Sequence, residues 1–194
     1  MSKRISTRWL AGALAIPFAL PAWATDRHWA NVDSSWNGPG NWSPTGVPGA
    51  SDRAMLDYFP GTFEGTAHLN TASISAVSEL WILNFNVLAI EAFGSLQINT
   101  DSFIGRQNTG TVNLLNGNPI QFYGGTLNDT ANFRLGVLSG AGAVNQNAGT
   151  VSVGTLILGD SSDPSDVRVG TGTYNMSGGQ LSAGAIYVGG SNSF

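Results

Sequence analysis

The sequence predicts an all-β chain wound as a parallel β-helix (a solenoid), and three observations carry that prediction. An 18-residue block occurs twice, 30 residues apart and without a gap: Gly142-Ala-Val-Asn-Gln-Asn-Ala-Gly-Thr-Val-Ser-Val-Gly-Thr-Leu-Ile-Leu-Gly159 lies over Gly172-Thr-Tyr-Asn-Met-Ser-Gly-Gly-Gln-Leu-Ser-Ala-Gly-Ala-Ile-Tyr-Val-Gly189. Self-similarity at a fixed period marks an array of stacked units. Glycines match at the first, eighth, thirteenth and eighteenth positions and an Asn at the fourth, which places glycine where tight corners need positive φ. Between the glycines, short runs alternate apolar with polar residues, as in Val151/Val153, Leu156/Leu158 and Leu96/Ile98. That is the period of a strand with one buried face. Three runs per block give three strands per coil, with coils stacked about 4.8 Å apart. A β-sandwich or jelly roll also uses short strands and glycine turns, but it does not explain a gapless repeat.

Taken in chain order, residues 1–24 read as a signal peptide. Lys3, Arg4 and Arg8 form a charged start, the stretch from Trp9 to Leu20 is apolar, and Ala22-Trp23-Ala24 fits a small-x-small cleavage site. The apolar stretch is shorter than the ~20 residues a membrane span needs and contains Pro17. Cleavage after Ala24 leaves no further segment of transmembrane length. It also leaves twelve acidic residues against five arginines (Arg27, Arg53, Arg106, Arg134 and Arg168) and no lysine. Nucleic acid is therefore excluded as a partner, since phosphate neutralisation needs a basic stripe. The chain has no cysteine, so neither disulfides nor thiolate metal sites hold it together.

Residues 25–70 hold Pro39, Pro44, Pro48 and Pro60 and three tryptophans, without a glycine-framed repeat. This segment is expected to cap the open end of the array, as terminal units of solenoids do. The solenoid proper is expected over residues 71–194. Ile74, Val77, Leu80, Ile82, Val87, Leu88 and Ile90 mark degenerate first coils. From Gly94 the repeat is legible, at offsets of 31, 24 and 30 residues, with an insertion from Leu114 to Tyr123. Inward rows are expected at Val144/Tyr174, Val151/Leu181 and Leu156/Ile186, with Asn145/Asn175 as an Asn ladder. No polar or helical cap follows Gly189, so the array is expected to be incomplete at its C-terminal end, the front of a longer protein or a truncated reading frame.

Asn41-Trp-Ser-Pro-Thr-Gly-Val-Pro-Gly-Ala-Ser-Asp52, preceded by Trp29 and Trp36, resembles the amino-terminal region of bacterial exported repeat proteins, namely autotransporter-type passengers and PEP-CTERM-type surface proteins. In those families a Trp-rich "NWSPxGVPGxxD" segment precedes units of the "GTYxxSGGxLxxGxxYVG" kind, which residues 172–189 match closely. The resemblance implies a secreted or outer-surface β-solenoid, often structural or adhesive. It also implies a carboxyl-terminal translocator barrel or sorting signal, and neither stands in this sequence.

Candidate sites follow from residue type. Trp29, Trp36 and Trp42 are either a row of indoles for stacking on sugar rings or a plug for the end of the core; the plug is the favoured reading. Asp160, Asp163 and Asp166 could hold Ca²⁺, but they match no calcium-loop spacing and read better as a solvated loop. His28 and His68 are the only histidines and lie far apart, so no zinc site is expected. Asp101 and Asp129 sit near Arg106 and Arg134 on neighbouring units, yet out of register, so no catalytic row of the polysaccharide-lyase or hydrolase kind is expected. No Gly-x-Ser-x-Gly elbow or phosphate loop occurs, and no cofactor is implied. The sequons at Asn41 and Asn175 are taken as chance. The reading is thus an exported, non-enzymatic surface scaffold, whose partners would be surface glycans or neighbouring solenoid chains. The alternative is a carbohydrate-binding or glycan-active β-helix protein.

Overall fold

The computed structural model describes residues 24–30, 33–57, 65–71, 74–84, 86–106, 109–114, 125–160 and 169–189. The signal-peptide assignment falls, but for Ala24, outside the described residues, as do Pro60 and nearly all of the insertion after Leu114. The strands form a parallel β-solenoid of about five turns. An opening coil holds β1 (Asp26–Trp29) and β2 (Asp33–Ser35), then returns through a 3-10 turn at Pro39–Asn41 into β3 (Trp42–Ser43). Next come β4 (Arg53–Leu56), β5 (Thr66–Leu69) and β6 (Ile74–Val77), then β7 (Glu79–Ile82), β8 (Val87–Ile90) and β9 (Ser95–Ile98). The repeat region supplies β10 (Ser102–Arg106), β11 (Thr109–Leu114), β12 (Thr126–Val137), β13 (Ala141–Gln146), β14 (Thr150–Asp160), β15 (Thr171–Met176) and β16 (Gln180–Val188).

These strands build three walls. The first is β1, β4, β7 and β10, continued by the second halves of β12, β14 and β16. The second is β2, β5, β8, β11, β13 and β15. The third is β6 and β9, continued by the first halves of β12, β14 and β16. The last three strands are long because each rounds the corner from the third wall to the first. The three strands per coil expected from the glycine spacing are therefore present.

Register follows the repeat. Gly142 pairs with Gly172, Thr150 with Gln180 and Leu158 with Val188, a constant offset of 30. The offset of 31 reappears at Ser95/Thr126 and Ser102/Phe133. Between β12 and β14 the ladder shifts at Asp129/Asn132, where Thr130 and Ala131 lie opposite the single residue Gly154. This β-bulge adds a residue on one side of the corner. A Cβ on Gly154 would lie 2.7 Å from the Ala131 carbonyl oxygen, so the tighter corner accepts only glycine.

The core is a set of inward rows with a period of two along each strand. Ala54, Leu80, Ser102, Phe133 and Leu156 form one row of the first wall; Leu56, Ile82, Ile104 and Leu135 form the next, all buried. Leu96, Leu127 and Val151 do the same in the third wall. Truncating a fully buried leucine such as Leu127 to alanine costs about 2–5 kcal/mol, since solenoid rows on both sides prevent collapse of the void. The rows lose cover at the last coil. Val144, Val151 and Leu156 are buried, whereas their partners Tyr174 and Leu181 are only partly so and Ile186 is 55% exposed. Asn175 Nδ2 donates to Asn145 Oδ1 at 2.9 Å on the exposed side of the second wall, so the Asn ladder faces outward.

The boundary expected at residue 70 is corrected. Parallel ladders begin at β1 and β2, so the segment 25–70 supplies the first coil and two strands of the second. The covering element is smaller: β3 pairs antiparallel with the outer edge of β1, Trp29 opposite Trp42. It ends the ladder by reversing the chain, which removes an open edge.

Candidate functional site

The three tryptophans singled out for sugar stacking are core residues. Trp29, Trp36 and Trp42 are 1%, 0% and 2% exposed. Their rings meet edge to face, Trp29–Trp42 at 5.1 Å and Trp36–Trp42 at 4.8 Å between centroids, the geometry that aromatic quadrupoles favour. Trp42 Nε1 donates to the Trp36 carbonyl at 2.8 Å. No indole face remains for a sugar, which corrects the stacking option at these positions. The motif around them latches the head of the solenoid. Asn41 Nδ2 donates to Ser34 Oγ and the Ser35 carbonyl at 2.9 and 2.8 Å. Asp52 accepts from the backbone N–H groups of Thr25 and Gly49 at 3.1 and 2.9 Å and pairs with Arg27 at 3.4 Å.

Asp160 is fully buried and bonded to Arg134 rather than open to solvent. It is not a member of a solvated loop, and a carboxylate neutralised by a guanidinium is a poor ligand for Ca²⁺. Asp163 and Asp166 lie outside the described residues. Among the described residues no cluster of His, Asp and Glu has metal-binding geometry. His28 and His68 each pair with acids of other coils: His28 with Asp57 at 2.9 Å, and His68 with both Asp33 and Glu91 at 2.6 Å. Burial works against protonation of His68, but its two carboxylate hydrogen bonds outweigh it and raise its pKa above 6.5.

Asp101 and Asp129 point to opposite sides of the sheet. Asp129 occupies an inward row otherwise filled by Val77, Ile98 and Val153. Only 1% exposed, it accepts from Ser102 Oγ, itself in an inward row, and from the Ala131 N–H at 2.9 Å. Burial pushes its pKa up to about 6, against the opposing hydrogen bonds from Ser102 and Ala131. Asp101 lies outside, accepting from Asn132 Nδ2 at 2.9 Å and reaching Arg134 at 4.0 Å. Phe103 pairs with Arg134, and Arg106 with Val137. The arginines are out of register, and Asp129 itself is buried.

A cluster of partly exposed aromatic and cationic side chains lies on the outer face of the first wall, where the sequence reading placed no site. Met55, Trp81, Phe103, Arg134, Ile157 and Tyr187 are successive partners along one outward row. Trp81 and Phe103 are 5.1 Å apart. Arg53 and Arg106 lie over the Trp81 ring at 5.0 and 4.9 Å, and Arg134 lies 5.7 Å from Phe103. Arg53 also bonds Glu79 at 2.6 Å and Asp26 at 3.2 Å. Such cation–π contacts contribute about 0.5–1 kcal/mol each at exposed sites. Arg106 has no carboxylate partner among the described residues and leans on both aromatics, 5.5 Å from Phe103. Parity was the available signal: Leu80, Ile82 and Ile104 face inward, so Trp81 and Phe103 must face out.

A polar hollow of about 440 Å³ opens beside β15, lined by Asn145, Gln146, Tyr174 and Met176 among others. Gln146 is committed there, accepting from Tyr174 Oη at 2.6 Å and donating to the Gln180 carbonyl at 2.9 Å. No acid or base lines it. No helix among the described residues is long and apolar enough to cross a membrane. No protein-family model matches the chain, and no curated protein or solved structure matches it either.

Proposed function

We propose that this chain is an exported, non-enzymatic β-solenoid scaffold of the cell surface or extracellular space, structural or adhesive in role. One observation carries the reading: the positions repeated between coils are those that stacking needs, and among the described residues three networks of ionisable groups tie neighbouring coils together. Asp26–Arg53–Glu79, Asp33–His68–Glu91 and Asp101–Arg134–Asp160 each join separate coils rather than converge on a cleft. The charged leader with its cleavage pattern supports export. Expression behind its own leader in a bacterial host should release a chain that starts at Thr25 by mass spectrometry. An intact 194-residue chain kept in the cytoplasm would contradict export. Incubation with neutral and acidic polysaccharides should yield no new chain ends, and their appearance would contradict the non-enzymatic reading.

A second reading, carbohydrate binding, draws on the outward Trp81–Phe103 pair with Arg106 beside it. An aromatic edge next to a guanidinium suits a sugar ring bearing a carboxylate. Retention on immobilised acidic polysaccharide, lost in Trp81→Ala/Arg106→Ala with unchanged melting, would favour it over the bare scaffold.

A further inference from the structure

We propose that β2 is a proton-gated strap: the imidazolium of His68 holds it against β5, and loss of that proton frees it. Three consecutive coils meet at this ring. His68 stands on β5, with Nε2 2.6 Å from Asp33 Oδ1 on β2 and Nδ1 2.6 Å from Glu91 Oε1, just past β8. Asp33 and Glu91 are the charged groups that face the ring, and its neighbours along the row, Ser35 and Ala89, do not ionise. An ionised carboxylate only accepts, so both contacts are hydrogen bonds only while both ring nitrogens carry a proton. A neutral imidazole keeps one N–H and turns a lone pair towards the other carboxylate.

Exposure decides which contact breaks. The Asp33 side chain is 69% exposed and that of Glu91 29%, so water replaces the hydrogen bond of Asp33 at less cost. The remaining proton then stays with Glu91, and the strap loses its link. Little else holds its free end. The strand has three residues, Asp33–Ser35, and its inward position is Ser34, where the next coils place Ala67 and Leu88, both buried. A serine there contributes little of the apolar burial that fixes those strands. Asn41 donates to Ser34 and Ser35, which ties the strap within its own coil rather than to β5. The hinge is Trp36, whose ring is buried in the core and whose backbone N–H donates to the His68 carbonyl at 2.8 Å. Opening therefore uncovers the edge of β5 while the indole stays in place. Because the two carboxylates favour the charged ring, the strap is closed at acidic pH and opens as pH rises through the raised folded value.

The test is native-state hydrogen exchange by NMR on the 194-residue chain, read as protection factors so that intrinsic exchange rates cancel. Between about pH 5 and about pH 8, amides of Asp33–Ser35 should lose at least about tenfold more protection than those of Ala141–Gln146. The His68 ring should titrate above 6.5 in the same samples. Glu91→Gln discriminates most sharply. A glutamine amide can donate to the ring lone pair, so neutral His68 then donates to Asp33 and the strap should stay shut at both pH values. Asp33→Asn should lower the His68 midpoint and leave β2 poorly protected throughout, with β13 unchanged. Equal losses in β2 and β13, a His68 midpoint at or below 6.5, or a strap that opens in Glu91→Gln as it does in the parent would overturn the proposal.

Discussion

Asp129 shows how one inward position sets a response of the whole chain. Its pKa rises from 3.8 to about 6 because a carboxyl group sits where other coils carry valine or isoleucine. Between those values the folded state binds more protons than the unfolded one, so stability is greatest at the acidic side and falls as pH rises. The two-unit shift corresponds to about 3 kcal/mol across that window. His68 acts in the same direction at higher pH. With a folded pKa above 6.5, its contribution is present below that value and is lost as pH rises through the folded one. Urea unfolding at a series of pH values should show stability declining from about pH 4 to neutrality. Asp129→Asn should flatten the lower part of that curve and His68→Gln the upper part; an unchanged slope in Asp129→Asn would refute the assignment. Glycine geometry is equally local. Gly136 has φ of +68°, and a Cβ there would lie 2.1 Å from the Thr171 carbonyl oxygen. Left-handed backbone alone costs a non-glycine residue about 1–2 kcal/mol, so Gly136→Ala should lower stability by more than that. Gly40, with open space around it, should tolerate alanine within about 0.5 kcal/mol.

At the scale of elements, the head latch and the outer ladder of the first wall should respond differently to truncation. Trp42 is buried, bonded through its indole N–H and packed edge to face against two other rings, so Trp42→Ala should cost about 3–5 kcal/mol. Trp81 lies on the outside of its strand, and Trp81→Ala should cost about 1–2 kcal/mol through lost cation–π contacts. Thermal melts of the two variants decide this, and equal losses would mean that the inside and outside of the first wall are misassigned. Coil repetition made the walls of the second half readable, because every Gly142–Gly172 type match lies in register in the ladder. The first half was harder. β1, β2, β4 and β5 have no glycine frame, and their side chains are held by pairs such as Arg53–Glu79 that leave no periodic signature. Proline and tryptophan density therefore read as a separate cap, although only β3 and its turn serve that role.

Across the whole molecule, the distribution of chemistry supports a stacking scaffold more than a reaction site. Acidic and basic groups bridge coils along the axis, and Asp129, the one carboxylate with a raised pKa among the described residues, is buried in the core. The candidate sites were less legible than the fold for a physical reason. A tryptophan is recognisable in sequence, but whether it faces in or out depends on strand parity and register. Trp29, Trp36 and Trp42 go in; Trp81 goes out. Likewise, Asp160 ends β14 rather than entering the acidic loop, so its partner is Arg134 and not a cation. The central claim is that consecutive coils, 30 residues apart in sequence, lie directly against each other. A chain without native cysteine allows a clean test by paired cysteine substitution. Strands in register stand about 4.8 Å apart, within the span a disulfide bridges, whereas a slip of two residues carries the Cα atoms beyond about 7 Å. Asn145→Cys/Asn175→Cys should therefore oxidise to an intramolecular disulfide in dilute solution, and Asn145→Cys/Thr173→Cys should not. Efficient closure of the slipped pair, with none of the in-register pair, would contradict the solenoid.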